Sequence, residues 1–239
     1  MKKILISGGG GEFAKELQKY NTEYKIIAPL KKEMDVTDIN SLDFKVFSDK
    51  PNYFIHAGAL TRPMVIHENE PDKSIKNNVI GTANVVLTCM KYNIKLIYFS
   101  TDYVYPGIDG NYDEEDYLKP FTNYGWSKLG GECSVRLYDN HLILRMAMNK
   151  RPFPHPKALT DMKKSLMYID EVPKILLKLL DENGTINFGG KSQSVYDFVK
   201  ETNSDIGKIT LDEINDVNMA TDCSMNTDKL KRLINDTTF

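Results

Sequence analysis

The sequence lacks any excess of positive charge: 31 Lys and Arg stand against 33 Asp and Glu, spread along 239 residues, for a formal net charge of −2. With no basic stripe, neither a nucleic acid nor an anionic membrane surface is an expected partner. Cysteine is scarce as well. Cys89, Cys133 and Cys223 are odd in number and scattered, without a Cys-x-x-Cys spacing, which speaks against a disulfide framework and against a metal site. No run of ~20 apolar residues is available to cross a bilayer. The amino-terminal Ile4-Leu5-Ile6 is cut off by four glycines, far short of a signal-peptide core. Repeats and low-complexity tracts are absent. The 41% hydrophobic content is that of an ordinary globular protein, long enough for one large domain or one domain with a small lobe, and a cytoplasmic setting is expected.

Short apolar runs alternate with helical periodicity. Lys3 to Ser7, Tyr24 to Ala28, Tyr53 to His56 and Ile94 to Phe99 read as strands, and the last is apolar almost throughout, as in a parallel sheet covered on both faces. Between them, Phe13 and Leu17, then Leu42, Phe44 and Phe47, and then Ile75, Val79, Ala83, Val86 and Met90 recur at helical spacing, predicting one long helix over residues 71–92. Later come a helix from Glu171 to Leu180, a strand near Gly184 to Gly190, short helices near Tyr196–Lys200 and Thr227–Leu233, and a polar tail. The pattern predicts an α/β fold, a Rossmann-type doubly wound parallel sheet, with a dinucleotide-binding domain over 1–148 and a small C-terminal lobe over 149–239 whose late strand and helix return to the main domain; that this is a reduced substrate-binding lobe is what the family resemblance of the motifs that follow implies.

The first strand runs into Gly8-Gly-Gly-Gly11-Glu12-Phe13-Ala14 and then a helix. Two glycine fingerprints are nested there, Gly9-x-Gly11-x-x-Ala14 and Gly8-x-x-Gly11-x-x-Ala14. Either would let the backbone approach a pyrophosphate at a helix N-terminus. After the second strand, where an acidic residue would hold the ribose of NADH, the chain reads Pro29-Leu30-Lys31-Lys32, which favours the 2′-phosphate of NADPH over NADH. Thr37 and Asp38 are both candidate N-caps for the following helix. Ala57-Gly58-Ala59 ends the next strand with small residues that admit a flat ligand; His56 beside them is read as a packed histidine, and Asn78 as a buried brace for nearby backbone.

Ser100 and Thr101 put hydroxyls at a strand end, where ligands of such sheets bind. Tyr124 and Lys128 follow, one helical turn apart and so on one face. A phenol is a poor acid–base group near neutral pH unless a positive charge favours its ionised form. Lys128 would supply that bias and Thr101 would hold a carbonyl oxygen. With 13 tyrosines the spacing also arises by chance, and Tyr196/Lys200 repeats it. That second pair has no hydroxyl-bearing strand end before it and is assigned to surface and packing.

Taken together, Ser100-Thr-Asp-Tyr-Val-Tyr-Pro-Gly107, Tyr112-x-Glu114-x-Asp116, Pro120 and Tyr124-Gly-x-Ser-Lys-Leu-Gly-Gly-Glu132 resemble the extended short-chain dehydrogenase/reductase superfamily, and within it the dTDP-4-dehydrorhamnose reductases. Gly8-x-x-Gly11-x-x-Ala14, Asp35-Val-Thr-Asp38, Ala57-Gly-Ala59, Asn78-Val-x-Gly-Thr-Ala-Asn84, Ile143-Leu-Arg145 and Tyr168-Ile-Asp-Glu-Val-Pro173 add to the match. The resemblance implies an NAD(P)H-dependent reduction of a nucleotide-linked 4-keto-6-deoxyhexose. In it Tyr124 is proton donor, Lys128 its modulator and ribose ligand, Thr101 the carbonyl partner, and Asp102 a sugar contact. Gly8, Gly11, Glu12 and Phe13 are implied at the pyrophosphate, Asp35 and Val36 at the adenine, and Ala57, Gly58, Ala59 and Leu60 at the ribose and nicotinamide. Relatives often carry an aromatic after the Leu-Arg pair; this chain has Arg145-Met-Ala-Met148, which makes Met148 the candidate sugar contact. Lys150, Arg151 and Lys157 are candidates for neutralising a substrate diphosphate, Arg151 foremost. A homodimer is an open expectation. An epimerase/reductase similar to GDP-fucose synthase is disfavoured because the Cys that family carries near the position of Asp102 is absent here; a dehydratase and a non-catalytic NADP(H)-binding subunit similar to the partner of methionine adenosyltransferase stay as alternatives.

Overall fold

In the first half of the chain, successive residues of each strand feed two different cores. The computed structural model describes residues 1–20, 22–214 and 219–235, so the polar tail from 236 lies outside the described residues. β1 (Lys3–Ser7), β2 (Lys25–Ile27), β3 (Tyr53–His56), β4 (Lys95–Thr101) and β5 (His141–Asn149) lie parallel in the order β2-β1-β3-β4-β5. Ile4, Ile6, Ile97, Phe99, Leu142 and Leu144 point to one face, where α1 (Glu12–Lys19) contributes Phe13, Ala14 and Leu17. Leu5, Leu96, Tyr98 and Ile143 point to the other, against Leu42 and Val46 of α2 (Ile39–Asp49) and Val85, Val86 and Cys89 further on. A period of two, with both faces covered by helices, is why these strands read as nearly unbroken apolar runs.

After β3 the chain forms α3 (Val65–Asn69) and then the segment predicted as one helix over 71–92. It is α4 (Pro71–Ser74), a π-helical turn (Ile75–Ile80) and α5 (Gly81–Tyr92). Such a widened turn rotates the side chains that follow, and apolar spacing alone does not reveal it. α6 (Asn123–Val135) precedes β5.

Beyond β5 the chain divides between two tasks. β6 (Lys157–Leu159), β7 (Lys163–Lys164), β10 (Gln193–Ser194), α8 (Val195–Lys200) and β11 (Gly207–Ile209) enclose a smaller core of Leu159, Met162, Val195, Phe198 and Ile206. β8 (Leu166–Tyr168) and β9 (Gly184–Phe188) instead extend the main sheet beside β5, while α7 (Val172–Leu176) and α9 (Asp228–Ile234) pack on its α1 face through Val172, Leu176, Leu230 and Ile234. The helix expected from Glu171 to Leu180 is thus the shorter α7, followed by turns. No helix among the described residues is long and apolar enough to cross a membrane.

Candidate functional site

The chain leaves β1 for β2 on one side and resumes with β3 on the other, opening the crevice where doubly wound sheets hold ligands. The loops beyond β1 and β3 meet there. Gly8 has φ +77°, and a Cβ on it would lie 2.9 Å from the Gly58 Cα. One on Gly9 would lie 2.3 Å from the Ala28 carbonyl oxygen. Both glycines therefore pack backbone against backbone, and the Gly11 N–H closes the turn on the Gly8 carbonyl at 2.8 Å. Gly11 is the N-cap of α1 and offers no side-chain cap, so the first N–H groups of that helix face the crevice unsatisfied by one. These features fit a dinucleotide pyrophosphate. Glu12, at the same helix start, pairs with Lys15 at 3.2 Å and with Lys150 at 3.4 Å.

On the adenine side, Asp35 Oδ1 accepts from the Thr37 N–H and hydroxyl, both at 2.9 Å. Burial raises this carboxyl, but the two Thr37 hydrogen bonds and the Lys31 charge leave it below its ordinary value. Lys31 and Lys32 are exposed, with Lys31 Nζ 3.8 Å from Asp35. Asp38, one of the two candidate caps, is the N-cap of α2 and accepts from the Asn40 N–H at 2.9 Å. At the end of β3, His56 is packed as expected: Ser7 Oγ lies 2.7 Å from its Nδ1 and Thr82 Oγ1 3.0 Å from its Nε2, and burial, then the Lys128 charge, lowers its pKa to about 3.

Asn78 is also the brace it was read to be. From the π turn its Oδ1 accepts from the Leu60 N–H at 2.8 Å, and its Nδ2 donates to the Leu60 carbonyl and to Ser127 Oγ, each at 2.9 Å. Ser127 Oγ in turn donates to the Tyr124 carbonyl at 2.8 Å. One amide thereby ties the Ala57–Leu60 loop to the helix that carries the phenol.

At the end of β4 the two hydroxyls part company. Ser100 Oγ donates to Glu132 Oε2 at 2.9 Å, inside a fully buried pair in which Arg145 Nη2 reaches Glu132 Oε1 at 2.6 Å. Thr101, one residue on and so on the opposite face, donates to Asp102 Oδ1 at 3.1 Å and accepts from the Tyr103 N–H at 3.2 Å. Tyr124 lies on the first turn of α6, which Thr122 caps by accepting the Gly125 N–H at 3.1 Å. Its pKa is pushed up to about 12, chiefly by burial, against a lowering by the Thr101 hydroxyl, with Asp102 raising and Lys164 lowering it. Lys128 is 3% exposed, its Nζ is 4.2 Å from the Tyr98 ring centre, and burial brings its pKa down to about 7.

Lys128 stands one turn along α6 from Tyr124, as the spacing predicts. A second cation, Lys164 of β7, comes from beyond β5 and lowers the Tyr124 pKa. Lys164 Nζ is 2.8 Å from Asp102 Oδ2, a contact ion pair not aligned as a hydrogen bond, and 4.1 Å from the Tyr103 ring centre. Nothing in the sequence announces it, because Lys163-Lys164 is a polar dipeptide with no period to place it. His67 was missed as well. It is buried, its ring centre is 5.1 Å from that of Tyr124, its Nδ1 is 2.7 Å from Ser74 Oγ, and its Nε2 has no partner among the described residues. Cys223, distant in sequence, comes close enough for its buried thiol to be affected by Asp102 and Lys164, and burial pushes its pKa up.

The two remaining predicted substrate contacts stand at and just after the end of β5. Met148 packs half-buried on the main core. Arg151 stacks over the Tyr168 ring at 4.0 Å and pairs with Glu171 at 2.6 Å and Asp170 at 3.7 Å, beside a surface depression of about 270 Å³ lined by Glu12, Glu16, Lys150 and Ile169.

Comparison with known proteins points the same way as the geometry. The chain is 28% identical to the dTDP-4-dehydrorhamnose reductase of Aggregatibacter actinomycetemcomitans over 200 residues, covering 82% of this chain and 66% of that protein. It is 31% identical to the methionine adenosyltransferase 2 subunit beta of Bos taurus over 143 residues, 56% of this chain and 42% of the relative. The chain thus spans less than two thirds of either curated relative. Among solved structures, the dTDP-4-dehydrorhamnose reductase of Bacillus anthracis in complex with NADP superposes with a TM-score of 0.88 at 25% identity, covering 100% of this chain and 94% of that one. The family described as RmlD substrate binding domain matches residues 1–149, the stretch that holds the glycine turn, Thr101, Tyr124 and Lys128. The chain belongs to that family.

Proposed function

We propose that the protein uses NADPH to reduce the C4 keto group of a nucleotide-linked 4-keto-6-deoxyhexose, as an oxidoreductase of the short-chain dehydrogenase/reductase type. One arrangement supports the reading: a strand-end hydroxyl that interacts with a half-buried phenol, and a buried lysine one turn further along the same helix, within the residues that the family matches and in the chain that carries the glycine-lined crevice. Gly8, Gly11, Glu12 and Phe13 would hold the pyrophosphate, Asp35 and Val36 the adenine, Lys31 and Lys32 a 2′-phosphate, and Ala57 to Leu60 the nicotinamide ribose. Bound there, NADPH supplies the hydride.

The chain's own groups do the rest. With substrate bound, Thr101 turns its hydroxyl from Asp102 Oδ1 to donate to the carbonyl oxygen, and Asp102 contacts the sugar. Tyr124, whose pKa near 12 keeps the phenol protonated at neutral pH, gives its proton to the oxygen as negative charge develops on it. Lys128, with a pKa near 7, holds the ribose and modulates that proton from one turn further along α6. A cytoplasmic setting and a homodimer are proposed alongside; exposed Trp126 and Leu137, on and just after α6, support the latter.

Purified protein mixed with NADPH and a panel of dTDP-, UDP- and GDP-linked 4-keto-6-deoxy sugars is expected to consume the dihydronicotinamide absorbance with at least one of them. The second reading, a non-catalytic NADP(H)-binding subunit, is favoured by the identity to the methionine adenosyltransferase subunit. Cofactor binding with no turnover on any sugar would select it.

A further inference from the structure

The small lobe sends one charged side chain onto the catalytic surface, and its surroundings define what it does there. Lys164 Nζ sits 2.8 Å from Asp102 Oδ2 and 4.1 Å over the Tyr103 ring, with 12% of its side chain exposed and 2% of that of Asp102. Asp102 Oδ1 takes the Thr101 hydroxyl. The Tyr103 and Tyr124 ring centres are 6.1 Å apart. We propose that Lys164 is a positioning residue for the proton donor: by pairing with Asp102 it cancels a buried negative charge beside Tyr124 and so sets how readily the phenol releases its proton. The proposal rests on the reading of Tyr124 as donor.

The balance is local, because few other charged or titratable groups among the described residues surround the phenol. Asp102 and Tyr103 come from the turn after β4, His67 from α3, Tyr98 from β4, Lys128 from α6 itself and Lys164 from β7. His67 is held below its ordinary pKa, mainly by burial, and brings no positive charge at neutral pH. Lys128 lies over Tyr98. Lys164 itself faces Asp102, Tyr103 and Cys223; burial opposes its charge, but the Asp102 carboxylate outweighs it and holds the ammonium protonated. Without Lys164 the buried Asp102 carboxylate would stand unpaired next to the phenol and make it a weaker acid. Without Asp102 the ammonium would act unopposed and make it a stronger one.

The test reads Tyr124 directly. In protein labelled with carbon-13 at the tyrosine ζ position, the Tyr124 signal is assigned by its loss in Tyr124→Phe and followed from about pH 7 to about pH 11. Asp102→Asn is expected to bring the onset of Tyr124 ionisation down by about one unit, and Asp102→Asn combined with Lys164→Met to return it to the parent's position. The double variant leaves no buried charge unpaired, so it avoids the folding penalty of Lys164→Met alone. An onset unchanged across the three proteins overturns the proposal.

Turnover with NADPH and a dTDP-linked 4-keto-6-deoxyhexose gives the second reading. Lys164→Met is expected to lower kcat about tenfold with NADPH affinity unchanged, and Lys164→Arg to restore most of it. Equal kcat in Lys164→Met and parent, or equal loss with Arg and Met, counts against the proposal. If the parent itself shows no turnover, the functional reading fails, while the tyrosine titration still decides the role of Lys164.

Discussion

Tyr124 and Lys128 on α6 and Tyr196 and Lys200 on α8 have the same residue types at the same spacing. On α8 the lysine is exposed, its Nζ 5.5 Å from the Tyr196 ring centre, and Lys208 approaches the same ring at 4.9 Å. Water screens both charges, and no strand-end hydroxyl hydrogen-bonds the phenol among the described residues. On α6 the lysine is buried over Tyr98 and the phenol meets Thr101, Asp102 and the lobe's Lys164. Helical spacing supplies the pair in both places. Burial and the strand end are added on α6, where they push the phenol up and the ammonium down.

The contrast extends to what holds each helix. α6 is anchored by Glu132, which binds Arg145, Arg136 and Ser100 at the floor of the site, and Arg145 Nη1 also donates to Tyr105 at 2.8 Å. Replacing Glu132 by Ala would leave a fully buried guanidinium without its partner. A loss of about 3–5 kcal/mol is expected in urea unfolding. A loss below about 1 kcal/mol would mean the pair does not anchor α6.

Lys128 gives the next largest effect, with a defined pH dependence. Its folded pKa near 7 lies below the 10.5 of the unfolded chain, so between these values the unfolded state holds the extra proton. The cost of burying the charge is therefore fully present below about pH 7 and fades as pH rises toward 10.5. Lys128→Met is expected to raise the unfolding midpoint most near pH 6, with the gain gone by about pH 10.5, although it abolishes ribose holding. A gain independent of pH would contradict the depressed pKa. The smallest effect belongs to α8, whose N-cap Ser194 accepts the Asp197 N–H at 2.9 Å; Ser194→Ala should cost about 1 kcal/mol and leave cofactor affinity unchanged.

The apolar runs at Ile4-Leu5-Ile6 and Leu96 to Phe99 announce the central strands because both faces are covered, and Gly8 and Gly9 announce the crevice because only glycine permits the backbone approach to Gly58 and Ala28. His56 and Asn78 were legible because each acts on backbone or side chains close to strand ends that the apolar pattern already locates, whereas the choice between Thr37 and Asp38 as cap of α2 needed the structure. The choice between Ser100 and Thr101 needed the strand's facing, which is set by Glu132, a partner 32 residues on. Lys164 was out of reach for a stronger reason. It arrives through β7, a two-residue strand paired antiparallel with β10, and only the folded lobe brings it to Asp102. The π turn likewise leaves no mark in apolar spacing.

The most direct test sets the two tyrosines side by side. Tyr124→Phe and Tyr196→Phe are assayed for NADPH affinity and for turnover on the sugar that the parent reduces. The account predicts that Tyr124→Phe lowers kcat by about 10²–10⁴-fold while NADPH binding is retained, and that Tyr196→Phe matches the parent in both. Retained turnover in Tyr124→Phe, or an equal loss in both variants, would contradict it.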